Sequence, residues 1–313
     1  ESILSHGDVM TSALVEPAQC TETPSAKRDE MAYLIGRPTL RDYVKFVRRT
    51  ASAPAGESDL VERWYAARRL IAKLETEEAG LADMPDIQPV DPDDQPLMLE
   101  FLKDPAQRSS FNTVPSEVAM IDLDQVVVYQ KHIDVSHGRR LMQDLGPKPS
   151  RDAVFRTCLP FDHPKPPVNW CRVDSNTWVF VSPSNDLRFL GAVPLDGDDL
   201  DGYRYLGAPV GALTLAVGFG TNFMNALHVE NRLILHNGSH RAYALHQLGV
   251  RRVPCIVQHA PSREALELLG PPEVYGKPDL YLSNPRPPML RDYSNPDLID
   301  NFAFTRKLQQ VTV

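Results

Sequence analysis

The chain has 313 residues, 42% of them apolar, which is enough for one large domain or two modest ones and too apolar for disorder throughout. Its 28 prolines fall largely in clusters, which indicates long loops. A net charge of −8 argues against a protein whose main work is holding bare nucleic acid.

Residues 1–30 are polar and mixed in charge and read as a flexible arm, without the basic start and apolar centre of a secretory leader. Residues 31–113 read as a helical region with an acidic, Pro-rich linker. In "LRDYVKFVRR", Leu40, Tyr43, Val44 and Val47 share one helical face. A second helix follows, with Asp59 and Glu62 at capping-box spacing and Leu60, Ala67, Ile71 and Leu74 on one stripe. The two helices form a pair that needs a further surface to cover its apolar stripes. In the linker "ADMPDIQPVDPDDQPL", Asp91, Asp93 and Asp94 resemble a metal cluster, but proline keeps them off a shared regular element, so a solvated linker is expected.

From 114 to 270 strand-like and helix-like segments alternate, which predicts an α+β domain. "VAMIDLDQVVVYQ" reads as strands and "VSHGRRLMQDLG" as a helix closed by Gly146. "TWVFVS", "LRFLGAV", "LTLAVGF" and "NRLILHN" read as strands. A helix at Ser239–Leu248, a strand at Arg251–Val257 and a helix in "SREALELLG" complete the domain. Residues 271–313 are expected to wrap the body as an extended, Pro-rich tail. "RPTLRDY" (Arg37–Tyr43) is echoed by "RPPMLRDY" (Arg286–Tyr293), which suggests similar docking of the two segments, although one match is no repeat period.

Cys20, Cys158, Cys171 and Cys255 are far apart with no CxxC pair, which is the pattern of reduced structural thiols. No apolar run is long enough to cross a bilayer. A soluble, cytoplasmic protein with no membrane partner is therefore expected.

The most informative stretch is "LILHNGSHRAYALHQLGVRRVPCIV", Leu233 to Val257. An apolar strand runs into Asn237 and Gly238, which tolerate unusual backbone angles, and Ser239 is suited to cap the helix that follows. Such a turn gathers main-chain N–H groups and a positive helix end, with His240 and Arg241 in the first turn. That combination suits a phosphate, although any strand–turn–helix needs a glycine and a cap.

This stretch resembles the signature segment of the ParB/sulfiredoxin superfamily. Gly238 and Arg241 match both branches and His240 the sulfiredoxin branch; Ala242, Ala244, Leu245, Gly249, Val253 and Pro254 fit the helix and strand that follow. The resemblance is specific over about 25 residues, weaker over 114–146, and absent elsewhere. It implies a ParB/sulfiredoxin-like mixed sheet. Ser239 stands where a sulfiredoxin has its cysteine, which argues against sulfinic-acid reduction. The segment after Gly270 is too short and Pro-rich for a partition-type helix-turn-helix.

Function follows from these residues as three expectations. The first is a nucleotide-binding protein that hydrolyses ATP or CTP or transfers a phosphoryl group, with magnesium sharing the charge. Asn237, Gly238, Ser239, His240 and Arg241 would hold the nucleotide, with Arg241 pairing in two-pronged fashion, and Asp134 and Glu230 are candidate general bases alongside His240. The metal ligands are not identified by the sequence. The second is a DNA-associated regulator or nuclease using Arg232, Arg241, Arg251 and Arg252, disfavoured by the acidic total charge. The third is a non-catalytic adaptor that binds a protein through the N-terminal helices or the tail. "GFGTNF" (Gly218–Phe223) is a second small-residue turn that could approach the ligand. Trp170 and His163, in "PFDHPKPPVNW", suggest a packing anchor or a surface on which a base stacks.

Overall fold

The computed structural model describes residues 28–105, 107, 111–162, 165–174, 176–184, 186–195, 210–306 and 308–313. Contacts divide these residues into two compact units: a larger one within 27–163 and 221–305, and a smaller one within 164–220 and 306–313. The divisions expected at 114 and 270 are therefore not where the contacts separate.

The larger unit opens with β1 (Arg28–Leu34), α1 (Leu40–Thr50), α2 (Glu57–Glu77), β2 (Ile87–Pro89) and α3 (Gln95–Phe101). Then come β3 (Ser116–Asp122), β4 (Val127–Val128), β5 (His132–Asp134), α4 (Val135–Leu145) and α5 (Arg151–Cys158). The smaller unit contributes β6 (Asn169–Asp174), β7 (Thr177–Ser182), β8 (Leu187–Leu195) and β9 (Ala212–Phe219). The chain returns with β10 (Asn225–Val229), β11 (Arg232–Asn237), α6 (Ser239–Gln247), β12 (Arg252–Ala260), α7 (Leu266–Leu269), α8 (Pro272–Tyr275), α9 (Pro278–Leu282) and β13 (Ile299–Thr305). Finally, β14 (Gln309–Thr312) pairs antiparallel with β7 in the smaller unit. The architecture is α+β, as the order of elements predicts.

The central sheet of the larger unit has the order β2-β3-β12-β10-β11-β4. β10 and β11 form an antiparallel hairpin, and β12 lies parallel to β10 on its far side. Helix α6 is thus the crossover from β11 to β12. On one face Ala226, Leu233 and Leu235 pack with Ala242 and Leu245 of α6. On the other, Leu227 and Ile234 pack with Leu266, Val274 and Leu282. A strand buried on both faces reads as a continuous apolar run, which is why "LIL" does not alternate with polar residues. Burying each such side chain contributes about 1.5–3 kcal/mol.

That second cover comes largely from the tail, which forms α8, α9, a 3-10 turn at Leu290–Ser294 and β13 rather than an extended wrap. β13 pairs with β1 over its whole length, and β1 pairs with β5 on its other side. Residues 28–30, expected within a loose arm, are therefore part of a sheet. The surface that the helical pair requires is Tyr33, Ile35 and Leu298, which pack on Tyr43, Val47, Leu60 and Ile71. Helix α2 is capped by Gly56 with no side-chain bond, so the expected Asp59–Glu62 capping box does not form. Asp93 and Asp94 share a 3-10 turn, and Arg151 gathers Asp91, Asp93 and Asp94 at 2.9, 3.5 and 3.0 Å. The linker acids thus hold a guanidinium instead of facing only water.

Candidate phosphate-binding turn

β11 ends at Asn237, and Gly238 takes φ 97°, the left-handed conformation in which glycine carries no penalty. A Cβ there would lie 3.1 Å from Met224 Cγ and 3.2 Å from Met224 Cα, so space as well as backbone angle selects glycine. The Asn237 side chain braces the turn from both ends. Its Oδ1 accepts the Gly238 N–H at 2.8 Å, and its amide donates to the Thr221 carbonyl at 3.0 Å. Gly238, not Ser239, is the N-cap of α6, and it brings no side-chain bond. Ser239 is instead the first helical residue. The N-cap thus offers the first-turn N–H groups of the helix no side chain of its own.

Arg241 departs from expectation. Its side chain turns inward, the residue is 8% exposed, and Nη1 donates to the carbonyls of Asn222, Thr157 and Cys158 at 2.7, 3.2 and 3.2 Å. Nη1 is thus committed to main-chain carbonyls rather than offered to a ligand phosphate, and it ties the end of α5 and residue 222 to the start of α6. "GFGTNF" does reach the turn through Thr221 and Asn222, but with carbonyl acceptors, which suit a cation and not a phosphate.

His240 and Asp134, 106 positions apart, are brought together. The Asp134 main-chain N–H donates to His240 Nε2 at 3.0 Å, and the His137 ring meets His240 edge-on with centroids 5.3 Å apart. Asp134 Oδ1 accepts the His137 N–H at 2.8 Å, so its carboxylate caps α4. Glu230 is not part of this group. It sits in the β10–β11 turn with φ 54°, at the far end of β11, and pairs with Arg263 at 2.9 Å. Six residues of strand put roughly 20 Å between that turn and Gly238, too far for a shared proton.

No family model, curated protein or solved structure matches the chain.

The remaining candidates resolve individually. Arg232 is buried on Asp83 and the Tyr281 carbonyl, Arg251 pairs with Asp124, and Arg252 lies 3.8 Å from Asp86, so with Arg241 turned inward these four do not make a basic patch. Trp170 is 59% exposed on β6 and leans on Trp178, centroids 5.6 Å apart; it is not a buried anchor. His163 and Cys20 lie outside the described residues. Cys158 and Cys255 are free, buried thiols, and burial pushes Cys158 up to about 12 against the opposing pull of Arg241. Cys171 is disulfide-bonded, contrary to the expectation that all four cysteines are reduced. Among the described residues, no group of three or more His, Cys, Asp or Glu is placed to hold a metal, and no helix is long and apolar enough to cross a membrane.

Sequence reasoning missed the inward Arg241 and its carbonyl partners. The signal available was the apolar context of "SHRAYAL", where Arg241 shares a helical face with Ala244 and Leu245, the face turned to the core.

Proposed function

We propose that this chain is a nucleotide-binding protein of ParB/sulfiredoxin-like type, in which the turn from β11 through Gly238 into α6 holds the phosphates of ATP or CTP. One observation carries the reading: a left-handed glycine opens a nine-residue helix with no side-chain cap, at the end of a central strand. The first-turn N–H groups of Ser239 and His240 and the positive helix end then act on a single point. The turn lies within residues 233–257, the segment that carries the resemblance, and α6 links β11 to β12 there. Arg241 supports the turn from behind, so the contacts to phosphate oxygen fall to main-chain donors, the Ser239 hydroxyl and His240. Magnesium would come with the nucleotide and share its charge. Asp134 brings a carboxylate to this neighbourhood, although its Oδ1 already serves α4. Hydrolysis or phosphoryl transfer is the activity such a turn would support, by positioning and charge neutralisation.

The test is thermal-shift titration of the full chain with ATP, CTP and GTP, with and without magnesium, against Ser239→Asp. A carboxylate in the first turn repels phosphate, so the variant should lose the nucleotide shift; because Ser239 is 6% exposed, the buried charge also lowers the variant's own melting temperature, and the shift is read from that lower baseline. Absence of any shift in the unaltered chain, or an equal shift in the variant, overturns the proposal.

A further inference from the structure

The two echoed segments meet. Arg37 Nη2 donates to the main-chain carbonyl of Arg286, and both segments border one cavity of about 190 Å³ within the larger unit. Arg37, Pro38 and Asp42 come from the first segment and Pro288 and Asp292 from the second. The rest of the wall is mostly apolar, including Ile35, Ile71 and Leu280, with exposed Lys131, Glu273 and Lys277 at the outside. None of the residues of the phosphate-binding turn lines it.

The second segment shows what a buried arginine takes in this setting. Arg286 holds Asp292 with two parallel bonds, Nη1 to Oδ2 at 2.7 Å and Nη2 to Oδ1 at 2.5 Å, and adds Glu78 through Nε at 3.0 Å. Arg37 is nearly as buried, its side chain 8% exposed. Yet its carboxylate contact among the described residues is Glu75 Oε1 alone, at 3.4 Å, and that oxygen also accepts the Asn284 amide at 3.0 Å. Asp42, the echo's counterpart of Asp292, lies in the first turn of α1 and makes no ion pair with Arg37 among the described residues. Burial pushes the Arg37 guanidinium down, with Asp292 and Glu75 opposing. The cavity thus has a buried cation that lacks the two-pronged acid its twin possesses.

We infer that this cavity is a binding site for a small organic acid, whose carboxylate pairs with Arg37 and whose apolar body lies against Ile35, Ile71 and Leu280. Size limits the class. A cavity of about 150 Å³ accepts benzene, so this one takes a single ring or a short aliphatic chain with its carboxylate. At Arg37 itself charge favours an anion, because Asp292 is already neutralised by Arg286, Asp42 and Glu273 on the same wall are exposed to water, and a planar guanidinium matches a carboxylate in geometry. The inference does not depend on the nucleotide reading of the turn.

Saturation-transfer NMR and calorimetry on the full chain test it, using benzoate and hexanoate as probes and benzylamine and benzyl alcohol as controls of similar size. The expected result is that the carboxylates bind and the amine does not, and that Arg37→Gln weakens benzoate at least tenfold. Leu280→Trp, which fills the cavity but leaves Arg37 and its ties in place, should abolish benzoate binding and keeps the test valid if Arg37→Gln fails to fold. The site is overturned if neither carboxylate binds the unaltered chain, if benzylamine binds as well as benzoate, or if benzoate binds Leu280→Trp unchanged.

Discussion

His240 Nε2 accepts the main-chain N–H of Asp134 at 3.0 Å, so the first turn of α6 is fastened directly to the end of β5. An imidazole that accepts through Nε2 carries its proton on Nδ1 when neutral, so this bond sets the ring's tautomer.

Replacing His240 with Ala removes an acceptor for a buried N–H and should cost about 1–3 kcal/mol, read as a lower urea midpoint with an unchanged slope. His240→Gln can restore an acceptor near the same place and should recover part of that loss. Equal stability of His240→Ala and the unaltered chain would show that the bond contributes nothing.

Arg241 is the larger structural element. Arg241→Ala strips one donor group from three carbonyls and leaves a void, so a loss of about 3 kcal/mol or more is expected. Arg241→Lys keeps the charge but not the planar fork and should fall between. If hydrogen exchange of the Thr157–Cys158 and Asn222 segments stayed as slow in Arg241→Ala, the inward tether would be refuted.

Much of this turn was legible in the sequence, because strand, glycine and helix are local patterns. Periodicity places Leu233, Leu235, Ala242 and Leu245 correctly on the core. What a side chain reaches across space is not local. The same Arg241 reads equally well as a phosphate ligand or as a tether, and only the position of residues 157, 158 and 222 decides. β1 and β13 escaped for a related reason: each is short of a distinctive alternation, and their pairing joins residues 28–34 to 299–305 across nearly the whole chain. β10 carries Asn225 and His228 within "NALHV", which weakens its strand signal, yet it lies inside the sheet between β11 and β12. The echo of Arg37–Tyr43 in Arg286–Tyr293 was visible, but the cavity that the two segments border was not.

Acid should destabilise the fold in a defined direction. Burial holds His132, His228 and His246 below the ordinary histidine value of 6.5; Lys131 adds to the effect at His132, His259 adds to it at His228, and at His246 Asp124 opposes it. A histidine with a depressed folded pKa contributes stability that is present above the unfolded value and lost as pH falls through the folded one. The melting temperature should thus hold above about pH 6.5 and fall progressively below it, the unfolded chain binding the extra protons. Removing one of the three by His228→Ala should flatten the descent. A melting temperature that rises between pH 6.5 and 5 contradicts the burial of these rings.

The pair Arg286–Asp292 gives a further prediction, because it is buried at both ends, with side chains 3% and 5% exposed. Asp292 also accepts the Met289 N–H through Oδ2 at 2.9 Å, so the carboxylate organises the 3-10 turn as well as the guanidinium. Asp292→Ala leaves a buried cation poorly compensated and should cost about 3–5 kcal/mol. The double change Arg286→Met with Asp292→Leu removes the desolvation of both charges and should cost less than the single one, since well-packed apolar replacements of buried pairs are often tolerated. Glu78 then decides how large the difference is, because it loses Arg286 in the double variant but keeps it in the single one. A double variant less stable than Asp292→Ala would mean that the ion pair does more than satisfy itself, and that Arg286 holds α2 to the tail through Glu78 as its main contribution.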